Sequence, residues 1–131
     1  MAELKQSTAA PEKLRLLAID DEPAISALVA QIAGECGYTA VAHHDSTKLG
    51  ESDFKDLDVM VVDLMMPGLD GVGMVRRLRR INPRVRAIAS SGVMDDEKRK
   101  EAAALGVDAA FSIEKLDELM PRMLGNQPAL W

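Results

Sequence analysis

Cysteine is almost absent from this 131-residue chain: Cys36 stands alone, so no disulfide can form within it, and a reducing, cytoplasmic setting is expected. Aromatic residues are scarce too. One Trp, one Tyr and two Phe cannot furnish a platform for stacking bases. Nor is there an excess of positive charge. Sixteen Lys and Arg face 21 Asp and Glu, and the net charge of −5 argues against nucleic acid and anionic membrane as partners. No apolar run approaches the roughly 20 residues of a membrane span, and residues 1–6 lack the apolar centre of a signal peptide. Internal repeats and low-complexity segments are missing as well. What is present, 47% hydrophobic and 28% charged residues, suits one globular domain. A chain of this size buries about two-thirds of its unfolded surface without disulfides or structural metal.

The chain is organised around residues 58–71. Val59 to Val62 form a short apolar run, the pattern of a strand buried on both faces, and it delivers Asp63 to the strand's carboxyl end. A second acidic group, Asp20-Asp21-Glu22, ends the apolar run Leu14 to Ile19 in the same way. Residues 1–13 are polar and aperiodic and are expected to form a loose arm. Pro23 suits a first helical turn, and Ile25, Leu28, Val29 and Ile32 recur at helical spacing up to a stop near Gly37. Tyr38 to His43 is a weaker strand, expected near the sheet's edge, and residues 46–54 have room for little more than two helical turns, weakened by Gly50.

Pro67-Gly68-Leu69-Asp70-Gly71 is dense in turn residues. The spacing predicts a helix over 72–81, with Met74, Val75, Leu78 and Ile81 inside and Arg76, Arg77, Arg79 and Arg80 as its solvated face. A fourth strand is predicted at Val85 to Ala89, ending at Ser90-Ser91-Gly92. Then come a helix with Asp95, Asp96 and Glu97 in its first turn and Gly106 as C-cap, a fifth strand at Asp108 to Ile113, and a last helix that Pro121 should kink or shorten. Residues 125–131 form a short tail. Strands alternating with helices predict an α/β fold: a doubly wound five-stranded parallel sheet with helices on both faces.

The first strand-to-helix turn, Asp20-Asp21-Glu22-Pro23, is not the glycine-rich turn that admits a pyrophosphate, so dinucleotides and P-loop nucleotides are poor candidates. Three carboxylates within about 5 Å of one another would repel by ~3 kcal/mol per pair at an effective dielectric near 20. They must protonate, spread apart or hold a cation. Oxygen ligands with room for water suit Mg²⁺, and such a site can stabilise phosphoryl transfer to a carboxylate, with the Ser91 hydroxyl available to the transferred group. A single acidic residue at a strand end is more often a helix cap or loop solvation. Two acid-bearing strand ends followed by Met65-Met66-Pro67-Gly68-Leu69-Asp70-Gly71 outweigh that reading.

With these residues in view, 14–124 resembles the receiver domain of two-component response regulators. The resemblance rests on Ile19 to Pro23, Val62 to Gly71, Ser91-Gly92 and Ala104 to Asp108, of which the second is highly specific. It implies the flavodoxin-like strand order 2-1-3-4-5. By the same resemblance, Asp63 would be the phosphoacceptor, served by a histidine kinase or phosphotransfer protein, with a downstream protein as target. Mg²⁺ would be held by Asp21, Asp63 and the Met65 carbonyl, with Asp20 assisting through water. Ser91 would approach the phosphate, and Gly92 would leave it accessible. Such a chain is a signalling phosphoprotein rather than a turnover enzyme, and a homodimer is among the assemblies it allows.

One position departs from the family. Where members carry a Lys-Pro pair after the fifth strand, this chain has Ile113-Glu114, and the nearest lysine is Lys115, which reaches the site only if the loop bulges. The aromatic switch position aligns with Ala110, next to Phe111. These departures motivate an alternative, a degenerate receiver acting as a constitutive interaction or dimerisation module. A haloacid-dehalogenase-like phosphohydrolase is a third reading, but it needs a second acid at 65, where Met stands. His43 and His44 point apart on a strand and are expected at the surface, Cys36 is expected to be a small hydrophobe, Met120 and Met123 core, and Trp131 a tail residue.

Overall fold

The computed structural model describes residues 14–64 and 71–124. The expected arm 1–13, residues 65–70 with all but Gly71 of the expected turn 67–71, and the expected tail 125–131 with Trp131 lie outside the described residues. Strands β1 (Arg15–Ile19), β2 (Thr39–His43), β3 (Val59–Asp63), β4 (Arg86–Ser91) and β5 (Ala109–Ser112) form one sheet. All neighbours are parallel and the order is β2-β1-β3-β4-β5. Between them run α1 (Pro23–Glu35), a 3-10 turn (Ser46–Lys48) with α2 (Glu51–Lys55), α3 (Gly71–Ile81) and α4 (Asp96–Ala104). A second 3-10 turn (Ile113–Lys115) leads into α5 (Leu116–Leu124).

Strand alternation splits the core into two layers. Leu16, Ala18, Val59, Val61, Ile88 and Phe111 face α1 and α5, where Val29, Ile32, Ala33, Leu116, Met120 and Leu124 meet them. Leu17, Ile19, Met60 and Val62 point the other way, onto Phe54 of α2 and Met74, Val75 and Leu78 of α3. Each such side chain contributes roughly 1.5–3 kcal/mol on burial, so β3, apolar on both faces, is the sheet's anchor. It ends at Asp63, which sets the acidic group where two buried layers run out.

Several expected boundaries move. β4 continues two residues beyond Ala89, because Ser90 and Ser91 pair with Phe111 and Ser112 of β5. The second crossover is smaller than a two-turn helix: α2 has five residues, started by Gly50, whose N–H donates to Asp53 at 2.7 Å. With so little above it, Val41 of the edge strand β2 stays 46% exposed. Helix α5 continues through Pro121, and α3 begins at Gly71. The four arginines of α3 divide. Arg76 and Arg80 are exposed, whereas Arg77 donates to the Leu49 carbonyl at 3.0 Å and lies over the Phe54 ring. Arg79 donates to the carbonyls of Val85 and Gly106 and pairs with Asp108 at 3.2 Å. Half of the expected solvated face therefore fastens loops.

Other expectations hold as stated. Gly106 follows α4 at φ 82° and Gly37 follows α1 at φ 95°, left-handed conformations that terminate helices cheaply only at glycine. Cys36 is half-buried at the end of α1 and its thiol pKa is raised by burial. Phe111 is fully buried while Ala110 is half-exposed, so the aromatic of this pair is core.

Candidate functional site

At the carboxyl ends of β1 and β3 the sheet brings Asp20, Asp21 and Asp63 together, with one carboxylate oxygen of each within 4.8 Å of the others. Among the described residues this is the group able to hold a metal ion, and neither His43 nor His44 belongs to it. Asp20 is 3% exposed and Asp63 is 7% exposed, while Asp21 is half-buried. The arrangement follows from the strands. β1 and β3 are adjacent and in register from Leu16 opposite Val59 to Ile19 opposite Val62, so Asp20 and Asp63 leave the sheet side by side.

The fit to a cation rests on Asp20. Its Oδ1 accepts the Glu22 N–H at 2.9 Å, which closes the turn into α1, but its Oδ2 is buried and has no hydrogen-bond partner. Such an atom is costly unless something else satisfies it. Burial chiefly, with the Asp63 and Asp21 carboxylates adding repulsion, raises the Asp20 pKa from 3.8 to about 7, against the lowering by the Glu22 N–H. A hard divalent cation would satisfy the orphaned oxygen and reverse the repulsion at once, and carboxylate oxygens that leave room for water suit Mg²⁺.

The remaining site residues are placed less evenly. Ser90 is the register partner of Asp63, and its hydroxyl lies 3.5 Å from the Val62 carbonyl. Ser91 sits one residue further, buried, with its Oγ accepting the Val93 N–H at 3.4 Å. The sequence pointed to Ser91 for the site and gave Ser90 no role there; only the register shows Ser90 opposite the acceptor strand's end. Ile113 and Lys115 both fall on the 3-10 turn after β5, Ile113 half-buried and Lys115 exposed. The Met65 carbonyl lies outside the described residues.

A residue that sequence reading gave only a turn role is Gly71. A Cβ there would lie 2.5 Å from the Asp63 carbonyl oxygen and 2.9 Å from the Leu64 Cα, so α3 starts in contact with the backbone of the acidic strand end. Only a glycine permits that approach. The signal was its place eight residues after Asp63, at the close of a turn-rich run.

The sequence matches the response regulator receiver domain family over residues 16–125. It is 32% identical to the transcriptional regulatory protein TrcR of Mycobacterium tuberculosis over 117 residues, 86% of this chain and 44% of that protein. It is 30% identical to the response regulator MprA of Mycobacterium ulcerans over 114 residues, 84% of this chain and 48% of that one. The chain thus spans less than half the length of either relative. In structure it is similar to the receiver domain of Francisella response regulator 1452, with a TM-score of 0.72 and 27% identity, covering 88% of this chain and 98% of that one.

Proposed function

This chain belongs to the response regulator receiver domain family, and from that premise we propose that Asp63 accepts a phosphoryl group from a histidine kinase or phosphotransfer protein. The observation that carries the proposal is the convergence of Asp20, Asp21 and Asp63 within 4.8 Å, with a buried Asp20 oxygen left unsatisfied. In the reaction, an Asp63 carboxylate oxygen forms the new bond to phosphorus as the bond from phosphorus to the donor's imidazole nitrogen breaks. The electron pair of the broken bond stays with that nitrogen.

Asp20, Asp21 and Asp63 would hold Mg²⁺, and a bound Mg²⁺ would neutralise the charge that accumulates on the phosphoryl oxygens. Asp20 and Asp21 orient the acceptor by fixing the cation beside it. Ser91 supplies a hydroxyl donor from the end of β4, and Gly92 keeps that approach open. The product is one phosphoaspartate per chain, so the module stores a signal and does not turn over. Its output passes through contacts with a downstream protein target, and the α4, β5 and α5 face is the surface offered. A soluble cytoplasmic setting accords with helices none of which, among the described residues, is long and apolar enough to cross a membrane.

A second reading has its own observation. By the resemblance, Ile113 falls at the position of the family lysine, and Lys115, the nearest candidate, is exposed on the 3-10 turn. On that reading the acidic site is silent and the chain is a constitutive interaction or dimerisation module. Intact-mass spectrometry after incubation with Mg²⁺ and acetyl phosphate separates the two. One phosphoryl adduct on the wild type, absent from Asp63→Ala and from a sample with EDTA, is the expected result. An adduct gained only by Ile113→Lys would establish the silent site, and none on any variant would overturn phosphoryl acceptance.

A further inference from the structure

A cavity lies away from the acidic group, at the amino end of the same sheet. It encloses about 800 Å³ and brings together Arg15, Lys55, Arg84 and Arg86 with Asp56 and Asp58. On a chain of net charge −5 this is a local reversal of sign, four cations against two carboxylates. Its volume falls in the range of roughly 300–1,000 Å³ that small-ligand sites occupy.

The walls are built rather than loosely draped. The Asn82 side-chain amide donates to the carbonyls of Phe54, Lys55 and Leu57 at 3.0, 3.4 and 2.8 Å, which holds the turn carrying Lys55 and Asp56 against the end of α3. Asp58 continues the backbone ladder on both sides. Its N–H donates to Arg15 at 3.0 Å and its carbonyl accepts from Arg86 at 3.0 Å, so two arginines on different strands flank it at one level. One oxygen of the Asp58 carboxylate is engaged by the Arg15 N–H at 2.8 Å. The Asp58 carboxylate keeps its charge while accepting that bond, so the lining carries four cationic side chains against two anionic ones. Leu14, 40% exposed, adds an apolar contact at the rim.

We propose that this cavity binds a small, multiply charged anion of the phosphate-ester or diphosphate class. Guanidinium groups match phosphate oxygens with paired donors, and a convergence of four cations favours a ligand carrying at least two negative charges over a simple carboxylate. The concave shape fits a small molecule better than the acidic surface of another protein. At the other end of the sheet, the three carboxylates repel the same ligand in the absence of metal. The site is independent of Asp63 chemistry, and either can fail alone.

The test is a heteronuclear NMR titration of the full chain in metal-free buffer at constant ionic strength, with pyrophosphate and, separately, ADP. The expected result is saturable shifts at Arg15, Lys55 to Asp58 and Arg84 to Arg86, without matching shifts at Asp20 to Glu22. ADP binding more tightly than pyrophosphate assigns an organic phosphate, and equal binding assigns the diphosphate alone. The double variant Lys55→Gln/Arg84→Gln, at the last residue of α2 and in the turn before β4, should weaken binding about tenfold or more while leaving the urea midpoint of the ligand-free protein unchanged. Absence of saturable shifts with either probe would overturn the proposal. So would affinity that survives the double substitution, or shifts centred on the acidic end.

Discussion

The two ends of the sheet are made from the same five strands and come out with opposite chemistry. At the carboxyl end, β1 and β3 release acid side by side, and the Asp20 Oδ2 is buried with no partner. At the amino end, Arg15 and Arg86 flank Asp58, one Asp58 carboxylate oxygen accepts the Arg15 N–H, and the Asn82 amide is spent on backbone carbonyls. The contrast separates two ways of handling buried polarity. One end is left incomplete, so that a cation from outside completes it; the other is finished internally and leaves its charge facing a cavity. The first arrangement costs stability when empty, and the second supports the fold whether or not anything binds.

The comparison can be broken most forcefully at the finished end. Asn82→Ala removes the donor shared by three carbonyls and should cost about 2–3 kcal/mol, measured as a lowered urea midpoint, with Mg²⁺ binding at the far end unaffected. Next in size is Gly71→Ala. Its Cβ would have to displace the Asp63 backbone, so a loss of about 1–2 kcal/mol should be accompanied by slower phosphorylation of Asp63, assayed by adduct formation over time.

Asp20→Asn should act in the opposite direction, raising metal-free stability. With its folded pKa held at about 7 by burial and its acidic neighbours, Asp20 keeps a proton that the unfolded chain releases above pH 3.8. Metal-free stability of the wild type therefore falls as pH rises from about 4 to about 7 on Asp20's account. The advantage of Asp20→Asn should be largest above that window and vanish below it, and Mg²⁺ should stabilise the wild type more than the variant. Urea titrations at several pH values check all three statements. The smallest effect belongs to Arg76→Ala, an exposed position that bonds to no other side chain or carbonyl among the described residues, which should stay within about 0.5 kcal/mol of wild type. Arg79→Ala should exceed it clearly, having lost the ties to Val85, Gly106 and Asp108.

How much of this was legible in the chain depends on how far apart the interacting residues lie. Val59 to Val62 announce a strand buried on both faces, Pro23 marks a first helical turn, and Gly106 marks a helix end, because each signal is local. The acidic site was readable for the same reason, as two short motifs that each end a strand. The bonds of Asp108 were not, although the run Ala104 to Asp108 had drawn notice as a motif. It accepts from the Ala87 N–H and from Arg79, residues 21 and 29 positions away, and no local pattern announces those partners. The splitting of the α3 arginines was hidden likewise, since Arg77 and Arg79 find their carbonyls across other elements. β4 reached Ser91 because pairing with β5 outweighed the turn propensity of Ser90-Ser91-Gly92. The basic cavity was invisible because its four cations come from three separate stretches of chain, around residues 15, 55 and 84–86.

The measurement closest to the central claim is chemical mapping of the phosphoryl group. After labelling with Mg²⁺ and acetyl phosphate, borohydride reduction should convert the modified aspartate to homoserine, and peptide mass spectrometry should find it at Asp63 alone. Homoserine at Asp20 or Asp21, or none in a protein that binds Mg²⁺, would contradict the assignment of Asp63 as the acceptor.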